Sequence, residues 1–279
     1  MIEKAYAKIN ICLNVVCRRD DGYHELEMIM VPLDLHDEIH IEFSNTSSIS
    51  SNDVNMPTDN SNTILKAINI MKDKYSLKEN FKVEVIKNIP MQAGLAGGSS
   101  DAAATIGAIN SMCNLELSND ELIEVGKQVG ADVPFFIINK PALVKGIGEK
   151  ISPFEMKTDY HILLVKPDEG VSTKEAFETL VFETAIHPNV EQMKKGLSEG
   201  IEELIIHNLQ NTLEQSAFKL VPVISQIKSE LQEFGFERVL MSGSGSAVFA
   251  LSENEELVSL AQEHFGSRYK FVRKTKIKG

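Results

Sequence analysis

The sequence predicts an α+β fold in two domains. Strand-like alternation and helix-like spacing both recur along its 279 residues, they mix without a regular βαβ alternation, and no segment repeats at a fixed period. Apolar residues make up 43% and charged residues 24%, near the globular average. A chain of this length can then bury roughly three quarters of its unfolded surface in a core of its own.

At the start, Ala5, Ala7, Ile9, Ile11, Leu13 and Val15 alternate with Tyr6, Lys8, Asn10, Cys12 and Asn14, the period of a half-buried strand, which turns Lys8 away from the core. Asp21-Gly22 predicts a tight turn that pairs this strand with the segment 23–31. The stretch 44–62 is rich in Ser, Asn and Asp and reads as an exposed loop without chemistry. Ile64, Ile68, Met71 and Tyr75 recur at helical spacing, and Phe81, Val83 and Val85 then alternate as a strand that ends at Pro90. A glycine-rich loop leads into an alanine-rich helix over 99–112, entered through Ser-Ser-Asp. Ser118 and Glu121 form a capping box for a helix that carries Leu122, Val125 and Val129, closes at Gly130 and leaves Asp132 just past its end.

Beyond about Phe154 the pattern starts afresh, which divides the chain into domains 1–155 and 156–279. A strand at 161–165 precedes helices near 173–181, 189–197, 202–218 and 222–234. A strand at 237–241, the turn SGSGS, a strand at 247–251, a helix over 254–265 and a last basic strand complete it. The basic residues of that strand read as a solvated face and receive no partner.

Composition narrows the function classes. Acidic residues exceed basic ones by 40 to 28, a formal charge of −12, which opposes binding to nucleic acid or anionic membranes. Cys12, Cys17 and Cys113 are odd in number and lack C-x-x-C spacing, so neither a disulfide framework nor a zinc site is expected. With no leader pattern and no apolar run of the length a spanning helix needs, a cytoplasmic protein is expected.

The segment Pro90 to Ala104, PMQAGLAGGSSDAAA, concentrates the chemical signal. Gly94, Gly97 and Gly98 allow backbone N–H groups to approach an anion, and the helix start adds unpaired donors and the positive end of the macrodipole. No Gly-Lys-Ser/Thr follows, and the spacing is not G-x-G-x-x-G, so neither the Walker nor the Rossmann phosphate loop is present. From the residues alone, a phosphate cradle and a surface turn capped by Ser99 or Ser100 remain equally open.

The loop resembles the P-x-x-x-G-L-x-S/G-S-S-A/D-A signature of the GHMP kinases, named after galactokinase, homoserine, mevalonate and phosphomevalonate kinases. AYAKIN near the start, RRDDGYHELEMIM after it, GADVPFF at 130–136 and MSGSGSAVFA at 241–250 extend the similarity in order over most of the chain. The resemblance implies a two-domain α+β GHMP kinase fold. Residues 1–155 would form an ATP-binding domain like the second domain of ribosomal protein S5, and 156–279 a ferredoxin-like substrate-binding domain, with ligands in the cleft between them. It implies ATP and Mg²⁺ as cofactors and, through the GYHELEMIM run, a cytidine diphosphate-linked polyol acceptor phosphorylated on the way to isoprenoid precursors. A family kinase with another acceptor, or a non-catalytic ATP or metabolite sensor, is the alternative, and a monomer or weak homodimer is expected.

By the same resemblance Lys8 and Asp132 are the catalytic pair, a carboxylate that takes the hydroxyl proton beside an ammonium that favours its ionised form. The backbone and side chains of Pro90, Met91, Gln92, Ala93, Gly94, Leu95, Ala96, Gly97, Gly98, Ser99 and Ser100 would surround the phosphates, with Ser99 or Ser100 facing Mg²⁺. Asn62 and Lys87 match the adenine side. Tyr23 would stack on the base and His24 hydrogen-bond it, Phe177 is the nearest candidate for a second aromatic, and Gly243 and Ser244 belong to the third motif. Gln92 and Ala93 stand where many relatives carry glycine, which predicts a stiffer loop there.

Overall fold

The computed structural model describes residues 1–278. Its contacts gather into two compact units. The first comprises Met1–Ala7, Leu35–Met91 and Ala96–Lys140; the second comprises Lys8–Asp34, Gln92–Leu95 and the chain from Pro141 onward. These bounds interleave along the sequence, whereas the division at 155/156 follows chain order.

Two long strands, β1 (Ile2–Arg18) and β2 (His24–Ser44), give residues to both units. In the first unit, the end of β2 pairs antiparallel with β4 (Asn80–Ile86), so that Ile39 faces Val85, Ile41 faces Val83 and Phe43 faces Phe81. The sheet continues through β3 (Ser48–Ser51), parallel to β4. The stretch 44–62 is therefore not all loop. β-branched Ile49 opposite Val83 gives its short strand an apolar anchor that composition conceals.

Helix α1 (Thr63–Tyr75) is capped by Asn62, whose Oδ1 accepts from the Ile64 amide, and buries Ile64, Ala67, Ile68 and Met71. It packs on α2 (Gly97–Met112), where Ala102, Ala103, Ile106, Ala108 and Ile109 are buried and the small side chains permit close approach. Helix α3 (Asn119–Val129) has the expected capping box, with both the Ser118 and Glu121 bonds formed, and ends at Gly130. Sequence periodicity does not reveal the following α4 (Val133–Ile138), a buried turn and a half too short to show a period.

In the second unit the start of β2 pairs antiparallel with β5 (Ala142–Gly146), which pairs with β6 (Lys150–Pro153). The hairpin between β1 and β2 closes as expected: Gly22 takes φ +87°, Arg19 N–H donates to Tyr23 O, and the Asp21 carboxylate accepts from Tyr23 N–H. Contrary to the alternation, β1 is buried on both faces, with Lys8 4% and Asn10 1% exposed. The supposedly wet face is covered: Lys8 Nζ donates to Gly94 O of the glycine loop, whose Leu95 O also accepts the Lys8 N–H, and Asn10 Nδ2 donates to Met28 Sδ on β2 at 3.2 Å.

A second sheet contains β7 (His161–Lys166), β8 (Arg238–Met241), β9 (Val248–Ser252) and β10 (Phe271–Lys276), antiparallel in the order β10-β7-β9-β8. Between β7 and β8 run α5 (Thr173–Glu178), α6 (Val190–Glu199), α7 (Glu202–Asn208), α8 (Glu214–Leu220) and α9 (Val223–Phe234); α10 (Glu255–Gly266) joins β9 to β10. One strand, a helical crossover, a hairpin, a helix and a last strand in this spatial order make the expected ferredoxin-like arrangement, with extra helices in the first crossover. Periodicity predicts one helix over 202–218, but the chain breaks at 209–213. There Leu13 N–H donates to Gln210 O and Thr212 N–H to Leu13 O, so these residues pair with β1 instead of continuing the helix.

Candidate active site

In the second unit the glycine loop, β1 and the SGSGS turn converge. Lys8 Nζ donates to Asn10 Oδ1 at 2.7 Å and to Gly94 O at 2.8 Å. Gly94 O also accepts from Ser242 Oγ at 3.0 Å, while Ser246 and Ala247 donate their amides to Gln92 O and Ala93 O. A methyl at Gly94 (φ +73°) would come to 1.9 Å from Ser242 O, so only glycine lets these two backbones meet. Gly243 lies equally close to the lysine: a Cβ there would stand 3.2 Å from Lys8 Nζ. The ammonium is thus held at a defined point among backbone groups, with Asn10, two residues on and on the same strand face, as one side-chain partner.

Gln92 adopts φ +51°, the left-handed region that favours glycine, and its side chain packs on Gly170, where an added methyl would stand 2.3 Å from Gln92 Oε1. Ala93 and Leu95 bury their side chains and present only backbone. Ser244 Oγ lies 2.9 Å from Thr173 Oγ1, and buried Asn211 donates from Nδ2 to Met241 O and Gly243 O, fixing the SGSGS turn. The sequence offers no signal for Asn211, an isolated amide inside an apparently continuous helical pattern.

The same unit holds an aromatic group beside the β1–β2 hairpin. His24 stacks on Phe177 with ring centroids 4.7 Å apart and planes 23° from parallel, and Phe182 lies 6.1 Å away at 19°. Phe182, which sequence reasoning passed over, sits in a single 3₁₀ turn with no periodicity to announce it. Burial, followed by the Arg18 charge, lowers the His24 pKa and favours the neutral ring. Tyr23 is exposed at the hairpin tip.

The first unit supplies the start of α2. Its N-cap is Ala96 (φ +56°), not a serine, and no side chain caps it. The first intrahelical bond runs from Ser100 N–H to Ala96 O, so the amides of Gly97, Gly98 and Ser99 precede it and form a set of donors suited to an anion. The expected Ser-Ser-Asp entry lies inside the helix because the left-handed residue before Gly97 already reverses the chain. Ser99 is half-exposed, whereas Ser100 is 2% exposed and lines a cleft of about 270 Å³ with residues of β1, α3 and α4. Met91 and Gly98 are exposed and Pro90 half-buried at the two ends of this segment.

Asn62 is 6% exposed; its amide caps α1 and donates from Nδ2 to Pro57 O. The Lys87 ammonium is held by Asp37 and by Asp101, at 2.8 Å from the latter. Burial works to lower the Lys87 pKa, but the two carboxylates outweigh it and raise it; burial pushes the Asp101 carboxyl up to about 7 against the opposing pull of Lys87. Asp132 occupies the N-cap position of α4 at φ −84°, half-exposed, with its side chain making no cap bond.

The GHMP kinases N terminal domain model matches residues 62–140 and the GHMP kinases C terminal model residues 187–270. A 4-diphosphocytidyl-2-C-methyl-D-erythritol kinase of Caldicellulosiruptor saccharolyticus is 42% identical over 91% of this chain and 89% of its own length. The like-named protein of Clostridium beijerinckii is 40% identical over 96% of this chain and 97% of its own. The chain belongs to the GHMP kinases.

A solved 4-(cytidine 5'-diphospho)-2C-methyl-D-erythritol kinase superposes with TM-score 0.85 at 29% identity over the whole of both chains. The homoserine kinase of Cytophaga hutchinsonii shares the fold, with TM-score 0.73 at 19% identity over 98% of this chain and 92% of its own. Among the described residues of this GHMP kinase no helix is long and apolar enough to cross a membrane, and no cluster of three His, Cys, Asp or Glu side chains is placed to hold a metal ion.

Proposed function

We propose that this GHMP kinase transfers the γ-phosphoryl group of ATP to the 2-hydroxyl of 4-diphosphocytidyl-2-C-methyl-D-erythritol, giving the 2-phosphate and ADP, in non-mevalonate isoprenoid precursor synthesis. The observation that carries this reading is identity of about 40% to kinases of that name along almost the full chain, together with a lysine anchored to the glycine-loop backbone at 2.8 Å.

In the proposed mechanism, Asp132 orients the acceptor hydroxyl and takes its proton as the new O–P bond forms. The bond from the γ-phosphorus to its bridging oxygen breaks and its electron pair leaves on ADP. Lys8, held by Asn10 and Gly94, favours the ionised carboxylate and meets the charge of the transferring group, a preorganised donor that needs no rearrangement during the step. Gly97, Gly98 and Ser99 amides bind the phosphates, with Pro90, Met91, Gln92 and Ala96 shaping the loop around them and Asn62 framing the adenine side.

The hydroxyl at the start of α2 is a hard oxygen donor of the kind Mg²⁺ takes, and the half-exposed Ser99 is the one we assign to it, Ser100 being enclosed. Mg²⁺ supplies charge neutralisation on the phosphates when bound. Tyr23 stacks on the cytosine, neutral His24 reads its edge, and Phe177 moves off His24 to close on the base from the other face. Gly243 and Ser244 complete the acceptor site. Residues 1–155 and 156–279 act as nucleotide and acceptor domains, in a monomer or weak homodimer within the cytoplasm.

ADP release measured with the cytidylyl acceptor and with the same polyol lacking the nucleotide tests the proposal. Strong preference for the first is expected. Equal activity on both would remove the cytosine site, and tight ATP binding without turnover on either would make the protein a sensor.

A further inference from the structure

The chain carries a buried cluster of one lysine and two aspartates that no step of the proposed mechanism uses. It lies wholly in the first unit. Asp37 is fully buried on β2; its Oδ1 accepts the amides of Asn88 at 2.5 Å and Ile89 at 2.8 Å, and its other oxygen accepts from Lys87 Nζ. Lys87 Nζ reaches on to Asp101 Oδ2 at 2.8 Å on α2. Exposure of the Lys87 and Asp101 side chains is 6% and 3%. One ammonium therefore ties together both ends of the segment 87–101, which contains the glycine loop.

The helix start rests on this junction. A methyl on Gly97 would stand 3.2 Å from Lys87 Nζ and 3.0 Å from Ile89 Cγ2, so the first residue of α2 lies directly against the lysine. From the neighbouring side, Thr63 Oγ1 donates to Gly98 O at 2.7 Å. Neutralising Lys87 requires one carboxylate, and Asp37 already provides it. The second carboxylate, on α2, leaves Asp101 Oδ1 buried with no hydrogen-bond partner, a cost that a purely local ion pair would avoid. What the second carboxylate adds is a fixed distance from strand exit to helix entry.

We propose that Lys87, Asp37 and Asp101 form a strut that fixes the amides of Gly97, Gly98 and Ser99 for the ATP phosphates, which makes Lys87 a positioning residue and not an adenine contact. The inference rests on the kinase reading above. Misplacing oriented groups by about 1 Å costs on the order of 10²-fold in rate, which sets the size of the effect.

The test compares Lys87→Met, Lys87→Arg, Asp101→Asn and the Lys87→Met/Asp101→Asn double variant of the full chain, each checked for folding by its melting transition. Three quantities are read: affinity for adenosine, affinity for ADP, and kcat with the cytidylyl acceptor. The strut predicts unchanged adenosine affinity in every folded variant. It predicts ADP affinity or kcat lowered about 10²-fold in Lys87→Met, partly restored in Lys87→Arg, lowered in Asp101→Asn, and no lower in the double variant than in Lys87→Met. Loss of adenosine affinity in the Lys87 variants with Asp101→Asn normal would make Lys87 an adenine contact and overturn the strut. So would additive losses, or phosphate affinity and kcat within threefold of wild type throughout. Should Lys87→Met fail to fold, Lys87→Arg and Asp101→Asn carry the comparison. If the wild-type protein phosphorylates no acceptor, the function proposal falls, while the adenosine and ADP affinities still decide the strut.

Discussion

Replacing Gly94 by alanine perturbs the proposed catalytic lysine without touching it. The new Cβ would lie 1.9 Å from Ser242 O, 2.8 Å from Ser242 C and 3.2 Å from Gly245 N, all backbone atoms that cannot rotate aside. Carbon atoms pack at about 3.5–4.0 Å, so the loop and the SGSGS turn must part by more than about 1 Å. The residue also sits at φ +73°, which costs a residue bearing Cβ about 1–2 kcal/mol. Parting the backbones breaks the bonds from Lys8 Nζ (2.8 Å) and Ser242 Oγ (3.0 Å) to Gly94 O. These are worth about 1.5–3 and 0.5–1.5 kcal/mol respectively. The sum, about 3–6 kcal/mol, lies within the stability of an ordinary domain, so the chain can fold with a displaced lysine. A displacement of this size should lower kcat about 10²-fold in a coupled assay of ADP release. Gly200→Ala is the control: its φ is +74° but nothing lies within 4 Å of its Cβ, so it should cost about 1 kcal/mol of stability and leave kcat unchanged. A folded Gly94→Ala enzyme with kcat within threefold of wild type would refute the reasoning.

Other predictions follow from the same geometry. Asp132→Asn should lower kcat by about 10²- to 10⁴-fold while calorimetry finds ADP affinity unchanged. Phe177→Ala should raise KM for the cytidylyl acceptor by roughly 5- to 150-fold, the equivalent of one lost base–aromatic stack, with KM for ATP unaffected. Asn211→Ala leaves Met241 O and Gly243 O without their buried donor and should cost about 2–4 kcal/mol in urea unfolding. Asp101 makes stability depend on pH: its folded pKa of about 7 lies above the unfolded value near 3.8, so the folded state retains a proton that the unfolded chain releases. That contribution is complete below about pH 4, declines by up to about 1 kcal/mol per pH unit as pH rises to about 7, and is absent above it. Unfolding midpoints at pH 5, 6, 7 and 8 should show the decline in wild type and a flatter profile in Asp101→Asn.

Much of the architecture was legible because it is written in local patterns. The capping box at Ser118 and Glu121, the Asp21-Gly22 turn and the alternation of Phe81, Val83 and Val85 each involve neighbours within a few residues, where side-chain chemistry and backbone geometry are coupled directly. The glycine loop was legible as a loop because Gly94, Gly97 and Gly98 cluster within a few residues, and Gly94 does take φ +73°; its reading as a phosphate cradle came from the resemblance and not from the local pattern. Errors fell where a distant partner overrode the local pattern. Helix 202–218 broke because Gln210 and Thr212 pair with Leu13, and Lys8 is enclosed because Gly94 and Leu95 cover its strand face. Asp37 and Asn211 escaped notice, and Asn10 and Asp101 were read only as an outward-facing strand residue and part of a helix entry, because a single buried polar residue has no period to betray it.

By itself the sequence determined the α+β class, the succession of most strands and helices, the glycine loop and, through its ordered motifs, membership of the GHMP kinases. Only the tertiary structure decided what each polar side chain faces: that Asn10 and Gly94 hold Lys8, that Asp37 and Asp101 hold Lys87, and that His24 rests on Phe177. The reason is physical. Local propensity acts over a few residues, whereas the cost of burying a charge is met by whichever donor or acceptor folding brings within about 3 Å, however far away it lies in the chain.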